Sequence, residues 1–485
     1  MLAAEALRKF AALWYHLGCA RRAERSPWFS TNREHFTPMT SNRSTYAAAT
    51  ACSATVTVDF DRVIGSVKPV NGVGQPPMLG FGGDSLFHYL TEAGVPFSRL
   101  HDVGGAFGKN VYVDIPNIFR DFAADENDPA NYDFTFTDDL MVKLDKAGVR
   151  PYFRLGVTIE NAARIKAYRV FPPKDYAKWA RVCEHVMAHY VEGWSDGPRV
   201  EVSHWEIWNE PDDYPDRQDS MMWRAPFKEY VRFYTIAAKH LKARFPNERI
   251  GGYGSNGVYL HPKATGERLA RVNFRKECTE SFFEIVARER APLDFFSFHS
   301  YVGVADTMRN AVFVRECAER NGFTGLELSL NEWLPNPAHE KLGTAQQAAE
   351  IAAEMIGFQN GTVDSACIYD ARCGIGDYSP LFNPLTYKPH KAYWAFMAFN
   401  ELRQAGTAVN ASSSAPGVWV AAAKGEVGGV VMIANPDGEA RPIAIDADNA
   451  QVASCRITDE TRTWEETPLP DVLPPYAVLV VRLRT

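Results

Sequence analysis

The chain has 485 residues, of which 46% are hydrophobic and 23% are charged, and its formal net charge is -7. This length is sufficient for one large domain and one smaller domain, and the composition is typical of a globular protein. The acidic balance, without a basic cluster, argues against a nucleic-acid partner, and no apolar stretch is long enough to predict a membrane span. We therefore expect neither nucleic acid nor a membrane as a partner, and the oligomeric state stays open.

The 8 cysteines are scattered along the chain. They are Cys19, Cys52, Cys183, Cys278, Cys317, Cys367, Cys373 and Cys455. No C-x-x-C pair occurs among them, which argues against a structural zinc site, and we expect neither a metal nor another cofactor. Scattered thiols in helix-like stretches favour a reducing compartment, so we predict a cytoplasmic protein, with a periplasmic or secreted location as the alternative.

Residues 1–50 are rich in Ser, Thr, Asn and Arg and show no structural period. The apolar run 10–20 is interrupted by His16 and followed by Arg21 and Arg22. A secretory signal has a cleaner apolar run behind an early positive charge. We therefore predict a poorly ordered extension over residues 1–50, with Met39 as an alternative natural start.

The stretch 54–60 alternates apolar and polar residues, which is typical of a half-buried strand. It precedes the region in which strands and helices take turns. We therefore expect residues 51–75 to contribute a strand to the other β-rich region, at the far end of the chain.

Strand-like and helix-like stretches alternate from Met78 onward. The apolar runs predicted as strands are 97–101, 151–156, 204–210, 249–252, 295–299, 327–332 and 365–370. The helical patterns are 86–93, 138–147, 175–191, 227–244, 278–288, 312–321, 345–358 and 391–402. A run near 79–82 would complete eight strands, and eight β/α repeats fit a closed (β/α)8 TIM barrel over residues 76–404.

An open doubly wound sheet with a Gly-rich first turn is the alternative to the barrel. Residues 80–84 are rich in glycine, but they miss the G-x-G-x-x-G spacing, and no acidic residue ends a suitable second strand. The barrel is therefore the better prediction.

The helical period disappears after Ala405. The stretches 417–423, 429–434 and 477–483 are strand-like and are separated by turns rich in Gly, Pro, Asn and Asp. The sequence thus predicts a small antiparallel β-sandwich over residues 405–485, completed by the strand at 54–60. The predicted fold class is α/β.

Two of the predicted strands end in an Asn-Glu pair beside tryptophan. The fourth strand ends in W-E-I-W-N-E-P with Glu210, and the seventh ends in L-S-L-N-E-W with Glu332. The carboxyl ends of barrel strands form the floor of the active site, so both glutamates should face one pocket. Glycoside cleavage needs two such carboxyl groups, about 5–5.5 Å apart in retaining enzymes and roughly 6.5–9.5 Å apart in inverting ones.

Strict alternation along the fourth strand places Asn209 on the face opposite to Glu206, Trp208 and Glu210. Asn209 can therefore reach the pocket only if the strand ends or bulges there, which Pro211 favours.

The sixth strand ends with His299 and Tyr301, which can hydrogen-bond a sugar hydroxyl or orient a carboxylate. His101, on the second strand, is a candidate for sugar binding or for a structural role. Glu206 and Glu327 lie early in their strands, toward the end of a barrel that serves stability, so we predict structural roles for them.

The motif W-E-I-W-N-E-P with a downstream strand-end glutamate resembles the clan of retaining glycosidases that carry catalytic glutamates on strands four and seven. In detail the chain resembles glycoside hydrolase family 39, the β-xylosidases and α-L-iduronidases. The matching segments are R-L-H at 99–101, Y-D-F-T at 132–135, G-V-R-P at 148–151, G-G at 251–252, F-H-S-Y at 298–301 and K-P at 388–389. The resemblance covers residues 56–483, and Asp102 stands where the family has glycine.

This resemblance implies that Glu210 is the acid/base and Glu332 is the nucleophile. It places Asn209, His299 and Tyr301 in the subsite of the cleaved sugar. The predicted substrate-binding residues are His101, Asn209, His299, Tyr301 and Trp333. The family nucleophile usually follows Thr and precedes Phe, whereas Asn331 and Trp333 take those places here, a difference that can alter the sugar preference.

The sequence therefore predicts a retaining exo-glycosidase, a β-xylosidase acting on short xylo-oligosaccharides by double displacement, without a cofactor. The alternatives are another sugar at the same site (iduronide, arabinoside or β-glucoside) and a carbohydrate-binding protein that has lost activity. Glu210 and Glu332 argue against the binding protein, because a binder needs neither carboxyl group.

Overall fold

The computed structural model describes residues 53–79, 85–103, 113–158, 170–260, 263–426, 428–447 and 450–484. The predicted N-terminal extension, residues 1–50, lies outside these ranges. Within them, no helix has the length and hydropathy needed to cross a membrane.

Eight parallel strands close into a barrel, in chain order around the ring. They are β2 (Gly72–Gly74), β3 (Phe97–Leu100), β4 (Arg150–Leu155), β5 (His204–Ile207), β6 (Ile250–Ser255), β7 (Phe295–Ser300), β8 (Glu327–Trp333) and β9 (Ser365–Ile368). Nearly every residue of these strands is buried, which explains why they read as continuous apolar runs rather than alternating ones. The predicted TIM barrel is confirmed.

Helices surround the barrel and connect its strands. They are α1 (Phe87–Glu92), α2 (Ile115–Ile118), α3 (Thr135–Lys146), α4 (Tyr176–Val191), α5 (Phe227–Arg244), α6 (Gly266–Glu289), α7 (Val304–Arg320), α8 (Ala345–Asn360) and α9 (Lys391–Ala405). Side chains cap two of them, since Asp175 accepts a hydrogen bond from the Lys178 backbone N–H and Thr344 from that of Gln347. Short 3-10 turns at Pro129–Asn131, Trp194–Asp196 and His339–Lys341 lie in the connections.

The first barrel strand is β2, not the predicted run near 79–82, of which residues 80–82 lie outside the described ranges. At Gly72 an added Cβ would lie 2.5 Å from the Phe97 ring and 2.6 Å from the Ala366 carbonyl oxygen. Only glycine fits so close to its neighbours, and a strand of three residues with two glycines shows no apolar period. Sequence pattern alone therefore missed it.

The remaining strands form one nine-stranded sheet, in the order β15-β14-β17-β12-β11-β10-β1-β13-β16. The strands are β1 (Ala54–Ser66), β10 (Thr407–Ser413), β11 (Trp419–Gly425), β12 (Gly428–Asn435), β13 (Arg441–Asp446), β14 (Gln451–Thr458), β15 (Glu465–Glu466), β16 (Val472–Leu473) and β17 (Ala477–Arg484).

Strand β1 lies inside this sheet and joins the two ends of the described chain. It pairs antiparallel with β10, where Val56 faces Ser413, and parallel with β13, where Ala54 faces Ile443. The expected pairing of 54–60 with the C-terminal strands is confirmed. The β1–β13 pair makes the sheet mixed, whereas the sequence predicted antiparallel pairing throughout.

The sheet buries both of its faces. Along β12, Val430 and Met432 belong to the large core shared with the barrel, and Val431 and Ile433 belong to a second core within the sheet. This alternation follows from the period of two along a strand. Helices α8 and α9 contact β11, β12 and β17, and so they connect the barrel to the sheet.

Candidate active site

Glu210 follows β5, at the point where the strand geometry breaks. The backbone φ angles of Trp208 and Glu210 are 75° and 43°, in the left-handed region that non-glycine residues rarely adopt. This turn ends the alternation, so Asn209 and Glu210 both make contacts inside the barrel. The Trp208 indole turns away and donates a hydrogen bond to the Met222 carbonyl oxygen at 2.9 Å. β5 ends at Ile207, earlier than the predicted run 204–210, and this end meets the condition for Asn209 to reach the pocket.

Glu332 lies in β8, where the pairing with both neighbouring strands shifts register close to it. Its Oε1 accepts a hydrogen bond of 2.6 Å from Arg99 Nη1, and its Oε2 accepts one of 2.8 Å from the Tyr301 hydroxyl. The side chain is buried, so these donors replace the water that would otherwise stabilise the carboxylate.

The carboxyl groups of Glu210 and Glu332 meet at His299. Its Nδ1 lies 2.7 Å from Glu210 Oε1 and 3.4 Å from Glu332 Oε2. One ligand atom of each of the three side chains can be chosen so that all lie within 4.8 Å of one another. The hydrogen bonds between these groups account for that proximity, and they bring the two carboxyl groups together in one buried pocket.

Burial governs the protonation of the pair. It raises the pKa of Glu210 to about 7, with the charge of Asp212 adding to the effect and that of Arg275 opposing it. Burial also raises the pKa of Glu332, while His299 and Arg99 act in the opposite direction. Burial lowers the pKa of His299 to about 4, so its imidazole is neutral near pH 7. Glu210 is thus suited to carry a proton at a pH where exposed carboxyl groups have lost theirs.

Arg99 in β3 hydrogen-bonds three side chains at the floor of the pocket. The sequence predicted no role for it at the site. Arg99 donates to Glu206 Oε2 at 2.7 Å and to Asn209 Oδ1 at 2.6 Å, in addition to its bond to Glu332. Glu206 also accepts hydrogen bonds from Ser297 and Asn331. The signal for it was present, because an arginine within a buried apolar strand requires charged partners.

His101 lies near the Glu332 carboxylate oxygen that His299 does not approach. Its Nε2 is 3.8 Å from Glu332 Oε1, and its Nδ1 accepts a hydrogen bond of 3.2 Å from Arg154 Nε. Arg154 in turn pairs with Asp114 at 2.6 Å. Burial first, and then the nearby Arg154 charge, lower the pKa of His101, so this ring is also neutral near pH 7.

Trp333 does not join this group. It is fully buried, and its ring meets Phe358 of α8 edge-on, with centroids 5.0 Å apart. Alternation along β8 turns it to the face opposite to Glu332. The other four predicted substrate-binding residues contact the carboxyl pair or Arg99, which binds Glu332. They are His101, Asn209, His299 and Tyr301.

Glu327 lies at the opposite end of β8, beside the first residue of β7. It contacts His204, Ser365 and Arg249 there. This position agrees with the structural role that its place in the strand predicts.

Comparison with known proteins gives a family match over part of the chain and a curated relative. Residues 108–326 match the family described as Glycosyl hydrolases family 39. A β-xylosidase of Geobacillus stearothermophilus is 25% identical over 279 residues, which are 51% of this chain and 51% of the relative. The chain therefore spans about half the length of this curated relative.

Solved structures share the fold over most of the chain. A glucosidase from Croceicoccus marinus superposes with a TM-score of 0.69 at 19% identity, covering 90% of this chain and 100% of that chain. A monomeric β-xylosidase from Caulobacter crescentus CB15 superposes with a TM-score of 0.63 at 15% identity, covering 89% of this chain and 99% of that chain. At these identities the likeness concerns the fold.

Proposed function

We propose, from the premise that the chain is a β-xylosidase-like glycoside hydrolase related to family 39, that it is a retaining exo-β-xylosidase. The observation that carries the proposal is that one carboxyl oxygen of Glu210 and one of Glu332 lie within 4.8 Å of each other. Retaining enzymes need about 5–5.5 Å for direct attack, whereas inverting enzymes need roughly 6.5–9.5 Å to admit a water molecule between carboxylate and sugar.

In this proposal Glu332 is the nucleophile and Glu210 is the acid/base. The Glu332 carboxylate attacks the anomeric carbon, the glycosidic C–O bond breaks, and Glu210 gives its proton to the departing oxygen. In the second step a water molecule attacks the anomeric carbon, Glu210 takes the proton of that water, and the bond to Glu332 breaks. Two inversions at one carbon leave the configuration retained.

The surroundings of the two carboxyl groups support this division of roles. Glu332 accepts hydrogen bonds from Arg99 and Tyr301, which stabilise its anionic form. Glu210 has a pKa raised to about 7, as an acid working near neutral pH requires. The charge of Glu210 also raises the pKa of Glu332, so the two groups titrate together. Once Glu332 is esterified its charge is lost, and we expect the pKa of Glu210 to fall.

The remaining polar side chains of the pocket are assigned to the cleaved sugar. Asn209, His299 and Tyr301 lie beside the carboxyl pair and carry donors or acceptors for sugar hydroxyl groups. His101 is placed with them because its ring lies next to Glu332. Trp333 is left out of the subsite, since its ring packs against Phe358.

Xylose is proposed as the sugar because the curated relative is a β-xylosidase. An iduronidase would need a cation to hold the substrate carboxylate. Arg372, close to the end of the eighth strand, already pairs with Asp370 at 2.8 Å, so its charge is compensated within the protein. Arg372 is therefore a poor candidate for holding the carboxylate of a uronic acid.

The test is a panel of 4-nitrophenyl glycosides assayed with the purified full chain. The β-xyloside should be cleaved with a kcat/KM at least about tenfold above those of the β-glucoside, α-L-arabinofuranoside and α-L-iduronide, since one misplaced polar group costs about 1.4 kcal/mol or more. Proton NMR should show β-xylose as the first product. Formation of α-xylose first would contradict retention, and a faster β-glucoside would contradict the sugar assignment.

Domain layout and cellular location are part of the same proposal. We assign the barrel to residues 72–404, since its first strand, β2, begins before the predicted boundary at residue 76, and the sheet to residues 405–485 with β1. Cys183, Cys278, Cys317, Cys367, Cys373 and Cys455 are free thiols, which supports a reducing compartment such as the cytoplasm. Thiol titration of protein isolated under anaerobic conditions would detect these groups. Disulfides found among them would contradict this assignment.

A further inference from the structure

Three tyrosine rings connect the carboxyl pair to the surface of the barrel. Tyr301 donates its hydroxyl hydrogen to Glu332, and its ring meets the Tyr378 ring edge-on with centroids 5.3 Å apart. Tyr369 packs against both rings, at 6.2 Å from Tyr301 and 5.8 Å from Tyr378. Tyr301 and Tyr369 use their hydroxyl groups within the protein, whereas Tyr378 is 39% exposed.

The position of Tyr378 is fixed by Asp370, two residues after the last barrel strand, β9. The Asp370 backbone N–H donates to the Tyr378 carbonyl oxygen. The Asp370 carboxylate accepts from the Ser379 hydroxyl at 3.2 Å and pairs with Arg372 at 2.8 Å. These hydrogen bonds hold the loop around Tyr378 in one position, so its exposed ring can offer a fixed surface to a ligand.

A fourth tyrosine, Tyr259, contributes to the same region. It follows β6 and is half-buried, and one side of its ring carries the Arg275 guanidinium with its carbon 5.5 Å from the ring centroid. Burial raises the pKa of Tyr259. The Arg275 charge opposes this rise, whereas the charges of Glu210 and Glu332 and the phenol of Tyr378 add to it. Burial raises the pKa of Tyr378 as well, and the charge of Glu210 adds to the effect. Tyr378 is linked to the carboxyl pair through Tyr301, whose ring it contacts. The Tyr259 ring and the His299 carbonyl oxygen both lie next to Gly257, at 3.0 Å and 2.3 Å from the position of an added Cβ.

We propose that the exposed ring of Tyr378 stacks on the ring of the leaving group, with Tyr259 as the neighbouring wall of this subsite. The inference rests on the proposed function, in which Glu210 protonates the leaving oxygen and the aglycone lies next to that residue. Aromatic side chains bind the C–H faces of sugars and planar rings alike. The ligand class is accordingly a glycoside whose aglycone is a pyranose or an aromatic ring.

This subsite has a consequence for the second half of the reaction. A sugar acceptor that stacks on Tyr378 can replace water: its hydroxyl oxygen attacks the anomeric carbon, the bond to Glu332 breaks, and the acceptor proton goes to Glu210. The product is a disaccharide. The ratio of transfer to hydrolysis therefore measures occupancy of the aglycone subsite, while both reactions share the same glycosyl-enzyme.

The experiment compares Tyr378→Ala and Tyr378→Phe with the wild-type chain. The donor is the 2,4-dinitrophenyl glycoside of the sugar that the nitrophenyl panel identifies, and the acceptor is methyl β-xyloside. Loss of one aromatic stacking contact should lower the transfer-to-hydrolysis ratio of Tyr378→Ala about tenfold. Tyr378→Phe keeps the ring and should stay within about twofold of the wild type.

Tyr387→Ala is the matched control, because Tyr387 follows the same strand and is 48% exposed. Its transfer ratio should equal that of the wild type. An unchanged ratio in Tyr378→Ala, or an equal loss in Tyr378→Phe or Tyr387→Ala, would overturn the stacking role. Faster cleavage of another sugar in the nitrophenyl panel, or a first product of inverted configuration, would count against the proposed function. These results do not depend on the transfer-to-hydrolysis ratios, so the two failures can be told apart.

Discussion

Arg99 bonds to Glu206, Glu332 and Asn209 at once, with all three contacts between 2.6 and 2.7 Å. The guanidinium group offers several donors in a rigid plane, whereas a lysine ammonium is a single point of charge on a flexible chain. Arg99→Lys should therefore lower kcat/KM by about a hundredfold, in line with the loss of a group that orients an active-site carboxylate. Steady-state kinetics on the nitrophenyl β-xyloside measure this.

The matched control is Arg120→Lys, since Arg120 forms an exposed ion pair with Asp133. Such pairs contribute little, and we expect the variant to keep its activity. Equal activity in Arg99→Lys and the wild type would show that Glu332 does not depend on this guanidinium.

The two glutamates should respond differently to removal. Glu332→Ala loses the nucleophile and should abolish turnover of every substrate, and added azide should give a product of inverted configuration. Glu210→Ala loses the acid, so a substrate with a good leaving group should still form the glycosyl-enzyme, and azide should release a product of retained configuration. NMR of the two azide products gives their anomeric configuration and thereby identifies which glutamate is the nucleophile. The opposite pattern would exchange them.

Glu210 should also set the alkaline limit of activity. Its pKa is raised to about 7, so the proton it must donate is present below that pH and is lost above it. We expect kcat/KM for the nitrophenyl β-xyloside to fall as pH rises through about 7. In Glu210→Ala, assayed with the dinitrophenyl substrate, this limb should disappear. If kcat/KM of Glu210→Ala still falls above pH of about 7, another group is responsible for the alkaline limit.

At the scale of single elements, the sequence identified strands by apolar runs and helices by their period. It missed β2, because close contact at Gly72 excludes the side chains that would make a run. It located Glu210 correctly but could not show that positive φ angles at Trp208 and Glu210 bring Asn209 into the same space. It left Arg99 without a role because a hydrogen-bond network across several strands has no signature in any one strand.

Strand β1 should contribute to stability through its buried face. Val58 is 1% exposed and belongs to the core within the sheet, whereas its neighbour Thr57 points to solvent. Val58→Ala should lower the free energy of unfolding by about 2 kcal/mol, from lost burial and the cavity left behind. Thr57→Ala should change it by less than about 0.5 kcal/mol. Urea denaturation followed by circular dichroism compares the two, and equal effects would mean that β1 is not docked as described.

At the scale of the whole molecule, α8 is one of the two helices that connect the barrel to the sheet. Glu354 in this helix is fully buried, and its Oε1 accepts a hydrogen bond of 3.0 Å from Thr307. Burial raises the pKa of this carboxyl group well above its usual value. The folded protein therefore keeps it protonated, while the unfolded chain releases the proton above pH of about 4.3.

The sign of the resulting pH dependence follows. A raised pKa in the folded state means that stability is lost as pH rises above the unfolded pKa. Glu354→Gln keeps an acceptor for Thr307 and removes the ionisation, so its melting temperature relative to the wild type should increase from pH 5 to pH 8. Calorimetry at both pH values tests this, with the exposed Glu319→Gln as the control. A difference that shrinks toward pH 8 would contradict the buried neutral state.

The division into barrel and sheet could be predicted because the hydrophobic period changes near Ala405, and the alternation at 54–60 pointed to the sheet. The parallel pairing of β1 with β13 could not, because alternating residues fit either direction of a neighbouring strand. The order of the nine strands depends on long-range packing in the same way.

The sheet that contains β1 has to wait for synthesis of the chain to finish. Val56 pairs with Ser413, roughly 350 residues later, which corresponds to about 20–70 seconds of translation at ordinary rates. During that interval the barrel strands are still being synthesised, and β1 offers two open edges and apolar side chains to any other β-strand. We therefore expect ribosome-bound chains to depend on a chaperone that shields residues 54–66 until β10 emerges.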